Sequence, residues 1–262
     1  MIRYATLFWI QLRASLQTAM QYRMNFFIDG LMSLFWMLWT LIPLWAVFRG
    51  RGSVAGWSFP EALIVAGWFT ILQGVLAGAI NPSLVETTDR IRTGTLDFVL
   101  IKPADGQFLI STARFAPWKI VDVIAGLTMV VVAFDLLDRR PAPEHVALAA
   151  LLLGVAVMTM YALWILVVCA AFWVVRLDNL AYLLQSIFDA ARWPLDVFRG
   201  AWRILFTFVI PLGLMTTYPA RAILGTLEPS TTLFALLGAV AFTALSRVVW
   251  KTALRRYTSA SS

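Results

Sequence analysis

The amino-acid sequence predicts an all-α membrane protein, and three observations support this fold class. First, 61% of the 262 residues are hydrophobic and only 13% are charged, whereas soluble domains carry about 45–50% and about 25%. Second, the mean hydropathy is +0.80, and apolar runs that could cross a bilayer recur along the chain. Third, most of the 21 Lys and Arg residues fall on one side of the predicted membrane. An ordinary soluble enzyme, a disordered tail and a disulfide scaffold are therefore excluded.

Residues 1–24 predict an amphipathic helix that lies in the membrane interface. Phe8, Leu12 and Leu16 share one apolar face at intervals of four residues. Arg13 and Gln17 lie on the opposite flank, which suits the polar headgroup side. Basic residues interrupt the segment at regular intervals, so we do not expect a cleavable signal peptide. The alternative is a plain extension of the first span.

Six hydrophobic segments follow in what we expect to be a single transmembrane domain over residues 1–262. Hydropathy places five of the predicted transmembrane helices at residues 25–48, 60–85, 110–137, 145–175 and 229–250. It places the remaining one, the fifth in chain order, at residues 204–220, and this assignment is ambiguous. The second carries small residues at every fourth position, namely Ala62, Ala66, Thr70, Gly74, Gly78 and Pro82. Such a stripe allows close helix packing, either within the protomer or between protomers.

Few residues could carry catalysis or hold a metal. The chain contains one His and one Cys, His145 and Cys169, which are too few for a zinc or haem site. No Lys follows a Gly, so the chain has no Walker-type phosphate loop. The basic charge is explained by sidedness, and we expect no nucleic-acid partner. We therefore expect neither an enzyme nor a metal or cofactor bound to this chain.

Residues 86–107 form the longest predicted cytoplasmic segment. Gly94 suits the position just after a helix C-terminus, where a positive φ is common. Thr95 is expected to cap a short second helix over residues 96–102, which Pro103 ends. That helix has an apolar face that includes Leu96. We expect this face to be covered by the chain's own span ends, by lipid headgroups or by a partner protein.

The same segment carries a pattern that resembles a known family. Its residues are Glu86, Arg92, Gly94, Thr95, Leu96, Asp97, Leu100, Lys102 and Pro103. The pattern resembles the cytoplasmic signature of ABC-2-type permeases, the membrane subunits of many ATP-binding-cassette exporters. The resemblance extends to the six-span plan, to a late segment around Pro211 and to the N-terminal amphipathic helix over residues 1–24, which it identifies as an elbow helix. It is closest to a subgroup in which two related permeases commonly pair with an ATPase.

The resemblance implies that the short helix after Gly94 is a coupling helix seated in a cleft of an ATPase subunit. Charged contacts around that cleft are expected from Glu86, Asp89, Arg90 and Arg92. Apolar contacts are expected from Leu96, Phe98 and Leu100. On this hypothesis, replacing Leu96 and Leu100 with Asp detaches the ATPase while the permease stays folded. ATP and Mg are expected on that partner subunit.

The resemblance also bears on the ambiguous fifth span. It implies that residues 180–195 cross the membrane directly after a cytoplasmic turn at residues 176–179. Residues 198–227 then form a re-entrant helical pair on the outer side, interrupted at Pro211 and Pro219. This arrangement moves Arg192, Arg199 and Arg203 outside, which weakens the charge bias but keeps its sign.

These inferences predict a permease subunit of an ATP-binding-cassette exporter in a bacterial inner membrane, with both termini cytoplasmic. Its expected partners are two cassette ATPase subunits and a second permease, identical or paralogous. The substrate is expected to be apolar or amphiphilic, and the candidate path residues are Gln73, Asn81, Gln185 and Asp189. A secondary transporter or channel without an ATPase and a non-transporting membrane scaffold remain alternatives.

Overall fold

The computed structural model describes residues 2–21, 23–173 and 178–256. Within these ranges the chain is helical, and the only extended pairing is an isolated bridge between Val54 and Trp57. The helices are α1 Ile2–Gln21, α2 Arg23–Phe48, α3 Phe59–Arg92, α4 Asp97–Leu100, α5 Gly106–Ser111, α6 Ile120–Leu136, α7 Pro143–Ala170, α8 Asp178–Phe188, α9 Ala201–Val209, α10 Gly213–Ile223 and α11 Pro229–Arg256. The all-α prediction is therefore confirmed. Part of the predicted turn at 176–179 and the C-terminal tail lie outside the described residues.

Four of the described helices are long and apolar enough to cross a membrane: α2, α3, α7 and α11. Helices α9 and α10 pass the same test as a pair, although they are bent by 70° at the break between them. Helix α6 has 17 residues, about 26 Å, which is just short of a typical span. The chain is thus a multi-pass membrane protein with four or five confirmed apolar helices, and the count of six stays a prediction.

The predicted fifth span contains a short helix and a turn. Helix α8 has 11 residues, or about 16 Å, and a 3₁₀ turn at Asp189–Arg192 follows it. The chain then becomes extended at Trp193, as expected for the residue before Pro194. The described residues of 180–195 therefore do not by themselves provide a helix that crosses a bilayer.

Helix α3 begins with a capping box and contains a π-helical turn. The backbone N–H of Ser58 donates to the Glu61 carboxylate at 2.8 Å, which satisfies one donor at the start of the helix. The π turn covers Leu76–Ile80. Pro82 has no N–H to offer the Gly78 carbonyl, and that carbonyl instead accepts from the Ala116 N–H at 2.7 Å.

The small residues of α3 pack within the protomer, against α6. A Cβ on Gly74 would lie 2.9 Å from the Cβ of Asp122, and one on Gly78 would lie 3.0 Å from the Cβ of Lys119. Gly67, one position from the predicted stripe, would clash with the Gly126 carbonyl at 2.8 Å. The stripe therefore brings two helices of one chain together, which answers the question that the sequence left open.

The described helices differ strongly in burial. About 67% of the apolar window of α3 is buried, against 17% for α2 and for α11. Helix α3 is therefore the central helix, while α2 and α11 present apolar side chains outward, as expected for lipid contact or for a partner permease.

Helix α1 runs beside the segment that follows α4. The Asp105 N–H donates to the Tyr4 hydroxyl at 3.2 Å, and the Phe115 N–H donates to the Ser15 hydroxyl at 3.1 Å. On the predicted apolar face, Phe8 is 40% exposed and Leu16 is 39% exposed. This exposure suits a helix that lies against lipid, although the interfacial role stays a prediction.

The two ends of α3 define two ends of the molecule. Helix α3 has 34 residues and is about 51 Å long. Trp57 precedes its first turn, and its indole N–H donates to Asp196 at 3.0 Å. Gly94 follows its last turn. We call these the Trp57 end and the Gly94 end; the bent pair α9–α10 approaches the first, because Asp196 also binds Arg221.

Candidate functional site

The C-terminus of α3 is closed by the glycine that the sequence singles out. Gly94 has φ +70°. The Thr95 N–H donates to the Arg90 carbonyl at 2.9 Å, and the Gly94 N–H donates to the Ile91 carbonyl at 3.3 Å. These two bonds form a Schellman motif, which satisfies carbonyls that the helix leaves without partners. The chain therefore turns sharply at Gly94 and starts a new direction.

The short helix after this turn is smaller than the sequence predicts. Helix α4 covers four residues, and its N-cap is Leu96. Thr95 does not cap it; the Thr95 hydroxyl lies 2.9 Å from the Thr93 hydroxyl instead. The last two positions of the predicted helix, Ile101 and Lys102, belong to the turn that leads to Pro103. The predicted cap is absent because the Thr95 hydroxyl contacts the Thr93 hydroxyl instead of the backbone of the short helix.

Burial divides the side chains of this segment into two groups. Leu96 is 0% exposed and Val99 is also buried, while Leu100 is partly buried against the core. Phe98 is 67% exposed and Ile101 is 77% exposed. Leu96 therefore anchors the short helix to its own chain and offers no surface to a partner. Because Leu96 is buried, we expect that its replacement with Asp destabilises the permease itself, in addition to any effect on a partner.

The charged residues around α4 also fall into two groups. Glu86 and Arg90 pair with each other one turn apart on α3, so much of their hydrogen-bonding capacity is used within the chain. Asp89, Arg92 and Lys102 are exposed. Gly94, Thr95, Asp97 and Pro103 shape the turn and the ends of the short helix rather than its exposed apolar surface.

Asp105, which the sequence reading did not single out, fixes the segment to the bundle. Its carboxylate caps α5 by accepting from the Phe108 N–H at 3.0 Å, and it pairs with Arg247 of α11. The hydrogen bonds from Arg247 lower the pKa of the Asp105 carboxyl. Gln107 continues this network, because it accepts from Arg247 at 2.7 Å and donates to the Tyr161 hydroxyl at 3.1 Å. An Asp just before a helix is a sequence signal for an N-cap, but no local sequence pattern could predict the contact between Asp105 and Arg247.

A cavity of about 500 Å³ opens between α2, α3 and the start of α6. Its walls combine aromatic, thioether, hydroxyl and charged side chains. The lining residues are Asp29, Met32, Ser33, Trp36, Met37, Thr40, Phe69, Thr70, Gln73, Trp118, Lys119, Asp122, Asp189 and Arg192. We call this space the central cavity.

Two of the four predicted path residues, Gln73 and Asp189, line this cavity, and a third, Gln185, hydrogen-bonds to both. The amide nitrogen of Gln185 donates to the Gln73 side-chain oxygen at 3.2 Å and to Asp189 at 3.3 Å. Asn81 lies apart, where its side-chain oxygen accepts from the Trp164 indole at 3.0 Å. Helices α3 and α8 therefore share a polar contact at the cavity wall, and Asn81 has a packing role in another part of the bundle.

The central cavity also contains charged groups that the sequence reading did not propose. Lys119 lies 3.2 Å from Asp122 and donates to the Ser33 hydroxyl at 2.8 Å. Arg192 lies 3.8 Å from Asp189, and its guanidinium stands over the Phe69 ring at 5.5 Å. Each cation has an acidic neighbour, so the wall offers polar contacts without a large net charge. This combination suits passage or binding of an amphiphile better than catalysis.

The described residues offer no arrangement for a metal centre. Across residues 2–21, 23–173 and 178–256, no three His, Cys, Asp or Glu side chains are grouped to hold a metal ion. Cys169 is buried. The features that stand out are instead an exposed apolar pair on a fixed short helix and a polar cavity among apolar helices.

Comparison with known proteins adds one finding. The model of a protein family described as "ABC-2 family transporter protein" matches residues 34–261, which is most of the chain and includes the Gly94 segment and most of the residues that line the central cavity. No curated protein and no solved structure matches the chain significantly.

Proposed function

Because the chain belongs to the ABC-2 family of transporter proteins, we propose that it is the permease subunit of an ATP-binding-cassette exporter. In this proposal it forms a translocation pathway as a dimer, with an identical or paralogous permease, in a bacterial inner membrane. Two separate cassette ATPase subunits bind ATP and Mg and hydrolyse the nucleotide. The Gly94 end, with both termini, faces the cytoplasm.

The observation that carries this proposal is the exposed pair Phe98 and Ile101. Phe98 stands on a four-residue helix and Ile101 directly follows it, and the other side of this helix is fixed by buried Leu96 and Val99. Exposed apolar groups on a rigid support are typical anchors for a protein partner. We propose that α4 is the coupling helix, that Phe98 and Ile101 enter the ATPase cleft, and that Leu96 supports the helix from behind.

Charged side chains supply the rim of this docking surface in our proposal. Asp89, Arg92 and Lys102 are exposed around α4 and can meet complementary charges on the ATPase. Exposed ion pairs contribute only about 0–1 kcal/mol each, so the apolar pair should dominate the affinity. The pair Glu86–Arg90 is expected to stiffen the last turns of α3 rather than to bind the partner directly.

The fixed connections of α4 suggest how ATPase closure moves the spans. The segment after α4 is joined to α11 through Asp105 and Arg247, and to α7 through Gln107 and Tyr161. A displacement of α4 would therefore move these helices together, as a rigid body. In this scheme the fifth span includes α8, and α9–α10 form a re-entrant pair.

The central cavity is our candidate for the protomer's part of the pathway. Gln73, Gln185 and Asp189 meet at its wall, beside the aromatic surfaces of Phe69 and Trp36. Mixed polar and aromatic lining favours an apolar or amphiphilic substrate. Asn81 does not line this cavity, so our proposal for the central cavity does not include it.

Co-purification tests the docking assignment. Phe98→Asp combined with Ile101→Asp should abolish co-purification of the permease with cassette ATPases of the same genome, because charges would replace the two apolar anchors. Val146→Asp, also at an exposed apolar residue, is the control and should retain the ATPase. Retention of the ATPase by the double variant at the wild-type level would overturn the assignment. A wild-type protein that transports without any ATPase would favour a secondary transporter.

A further inference from the structure

A second polar cavity lies at the Trp57 end of the molecule, far from the docking surface and apart from the central cavity. Its volume is about 350 Å³, and its walls come from the segment before α9, from α9, α10 and the start of α11. The charged residues in its lining are Asp196, Arg203 and Arg221. The proposed transport function does not use this cavity.

The charges of this cavity do not balance. The Asp196 carboxylate accepts from Arg221 at 2.7 Å and from the Trp57 indole at 3.0 Å. Its other oxygen lies 3.5 Å from a guanidinium nitrogen of Arg203. One carboxylate therefore faces two guanidinium groups, which leaves one positive charge in the lining. Asp196 is itself mostly buried, so it holds both arginines in place.

Arg203 keeps its hydrogen-bonding capacity available. Its side chain is 59% exposed, and its guanidinium makes no hydrogen bond to any residue in the described part of the chain. The Tyr218 hydroxyl, in the same lining, also lacks a hydrogen-bond partner among the described residues. A guanidinium presents several donors in a planar fork that matches the oxygens of a phosphate. The site therefore offers donors and positive charge to an anion.

An apolar surface adjoins these donors. Ile204 and Phe208 line the cavity, and both are exposed on α9. Phe208 reaches α11, where its ring lies 5.8 Å from the Phe234 ring. The space between α9 and α11 is thus apolar beside a cationic rim. A small inorganic anion would use only the rim, whereas an anionic amphiphile would use both parts.

We propose that this cavity binds the phosphate-bearing headgroup of an anionic lipid. Arg203 and Tyr218 donate to the phosphate, and the lipid chains lie along Ile204 and Phe208. A net charge of −1 on the lipid complements the unbalanced positive charge of the site. A zwitterionic lipid carries the same phosphate but also a cation, which Arg203 and Arg221 repel.

Native mass spectrometry of the purified full-length protein tests the proposal. The probes are phosphatidylglycerol, phosphatidylcholine with the same acyl chains, and inorganic phosphate. Arg203→Gln removes the available guanidinium and should weaken phosphatidylglycerol binding about tenfold, the order expected for loss of a hydrogen bond between charged groups. The control is Arg140→Gln, which removes one charge at another exposed arginine and should bind like wild type. Thermal unfolding checks that both variants remain folded.

Each outcome decides the proposal. Preference of wild type for phosphatidylglycerol, lost in Arg203→Gln and kept in Arg140→Gln, supports it. Equal binding of phosphatidylglycerol by wild type and Arg203→Gln overturns the site. Equal loss in both variants shows a general charge effect and also overturns it. Binding of inorganic phosphate as tight as that of the lipid would show a phosphate site without a role for the acyl chains, which contradicts the lipid assignment.

Discussion

Two alanine substitutions, one at the N-cap of α4 and one within it, should have opposite effects on stability and on ATPase binding, although they lie two positions apart. Leu96→Ala removes a side chain with no exposed surface, and buried Leu→Ala changes cost about 2–5 kcal/mol. For a chain of this size each kcal/mol lowers the melting temperature by about 2–4 °C, so we expect a fall of about 4–20 °C. Phe98→Ala removes a side chain that is 67% exposed, so the melting temperature should stay close to that of wild type.

The binding measurements should show the reverse order. Phe98→Ala is expected to weaken ATPase binding by more than about 1 kcal/mol, or roughly fivefold, if Phe98 is an anchor of the interface. Leu96→Ala should bind nearly normally below its melting temperature, because its side chain does not reach the surface. Thermal unfolding in detergent and surface-immobilised binding measure the two effects on the same preparations. A stable Leu96→Ala variant that fails to bind would refute the division into support and anchor.

Three further substitutions test the packing, the anchor network and the cavity. Gly126→Ala places a Cβ 2.6 Å from the Gly67 carbonyl and should destabilise the protein by about 1–3 kcal/mol in thermal unfolding; Gly154→Ala, which meets nothing within 4 Å, should not. The folded-state pKa of Asp105 lies below its ordinary value of 3.8, so its pairing stabilises the fold above that pH and is lost as the pH falls through the lowered pKa. Melting curves should therefore separate Asp105→Asn from wild type at pH 7 and converge at lower pH. Gln185→Ala should reduce substrate-stimulated ATP hydrolysis at an unchanged melting temperature, and a normal stimulation would contradict its place in the pathway.

Local sequence signals predicted much of the fold. The apolar runs of α2, α3, α7 and α11 are long and almost free of charge, and these are the helices that the structure confirms as candidate spans. Gly94 was also predictable, because a helix that must stop and turn needs a positive φ at one position. These features depend on a few neighbouring residues, so they can be read without knowledge of the tertiary structure.

Burial within α4 could not be predicted in the same way. Leu96, Phe98 and Leu100 are all apolar and close in sequence, and only the packing of the turn decides that Leu96 is enclosed while Phe98 is exposed. Sequence reasoning treated the three as one docking set. The sequence placed Ile101 inside a helix over residues 96–102, whereas the structure places it in the turn after α4, where it is exposed.

The polar residues near the membrane were difficult for a different reason. The positive charge of Arg192 counts against a membrane span at this position. In the structure, however, its guanidinium has protein neighbours, because it lies over the Phe69 ring and near Asp189. Asp105 and Arg247 pair with each other although they are 142 positions apart, so no local sequence pattern links them. Gln73 and Gln185, polar residues of the second and fifth predicted segments, do contact each other. Nothing in the sequence indicated that Asn81 would lie apart from them.

Disulfide or bifunctional crosslinking at Ile101 tests the central claim most directly. The chain has a single cysteine, Cys169, which is buried, so Ile101→Cys introduces one accessible thiol. In membranes that contain the complete transporter, we predict that Ile101→Cys crosslinks to the cassette ATPase and that Arg140→Cys does not. Crosslinking of Arg140→Cys, or no ATPase adduct with Ile101→Cys in a transporter that hydrolyses ATP normally, would contradict the account.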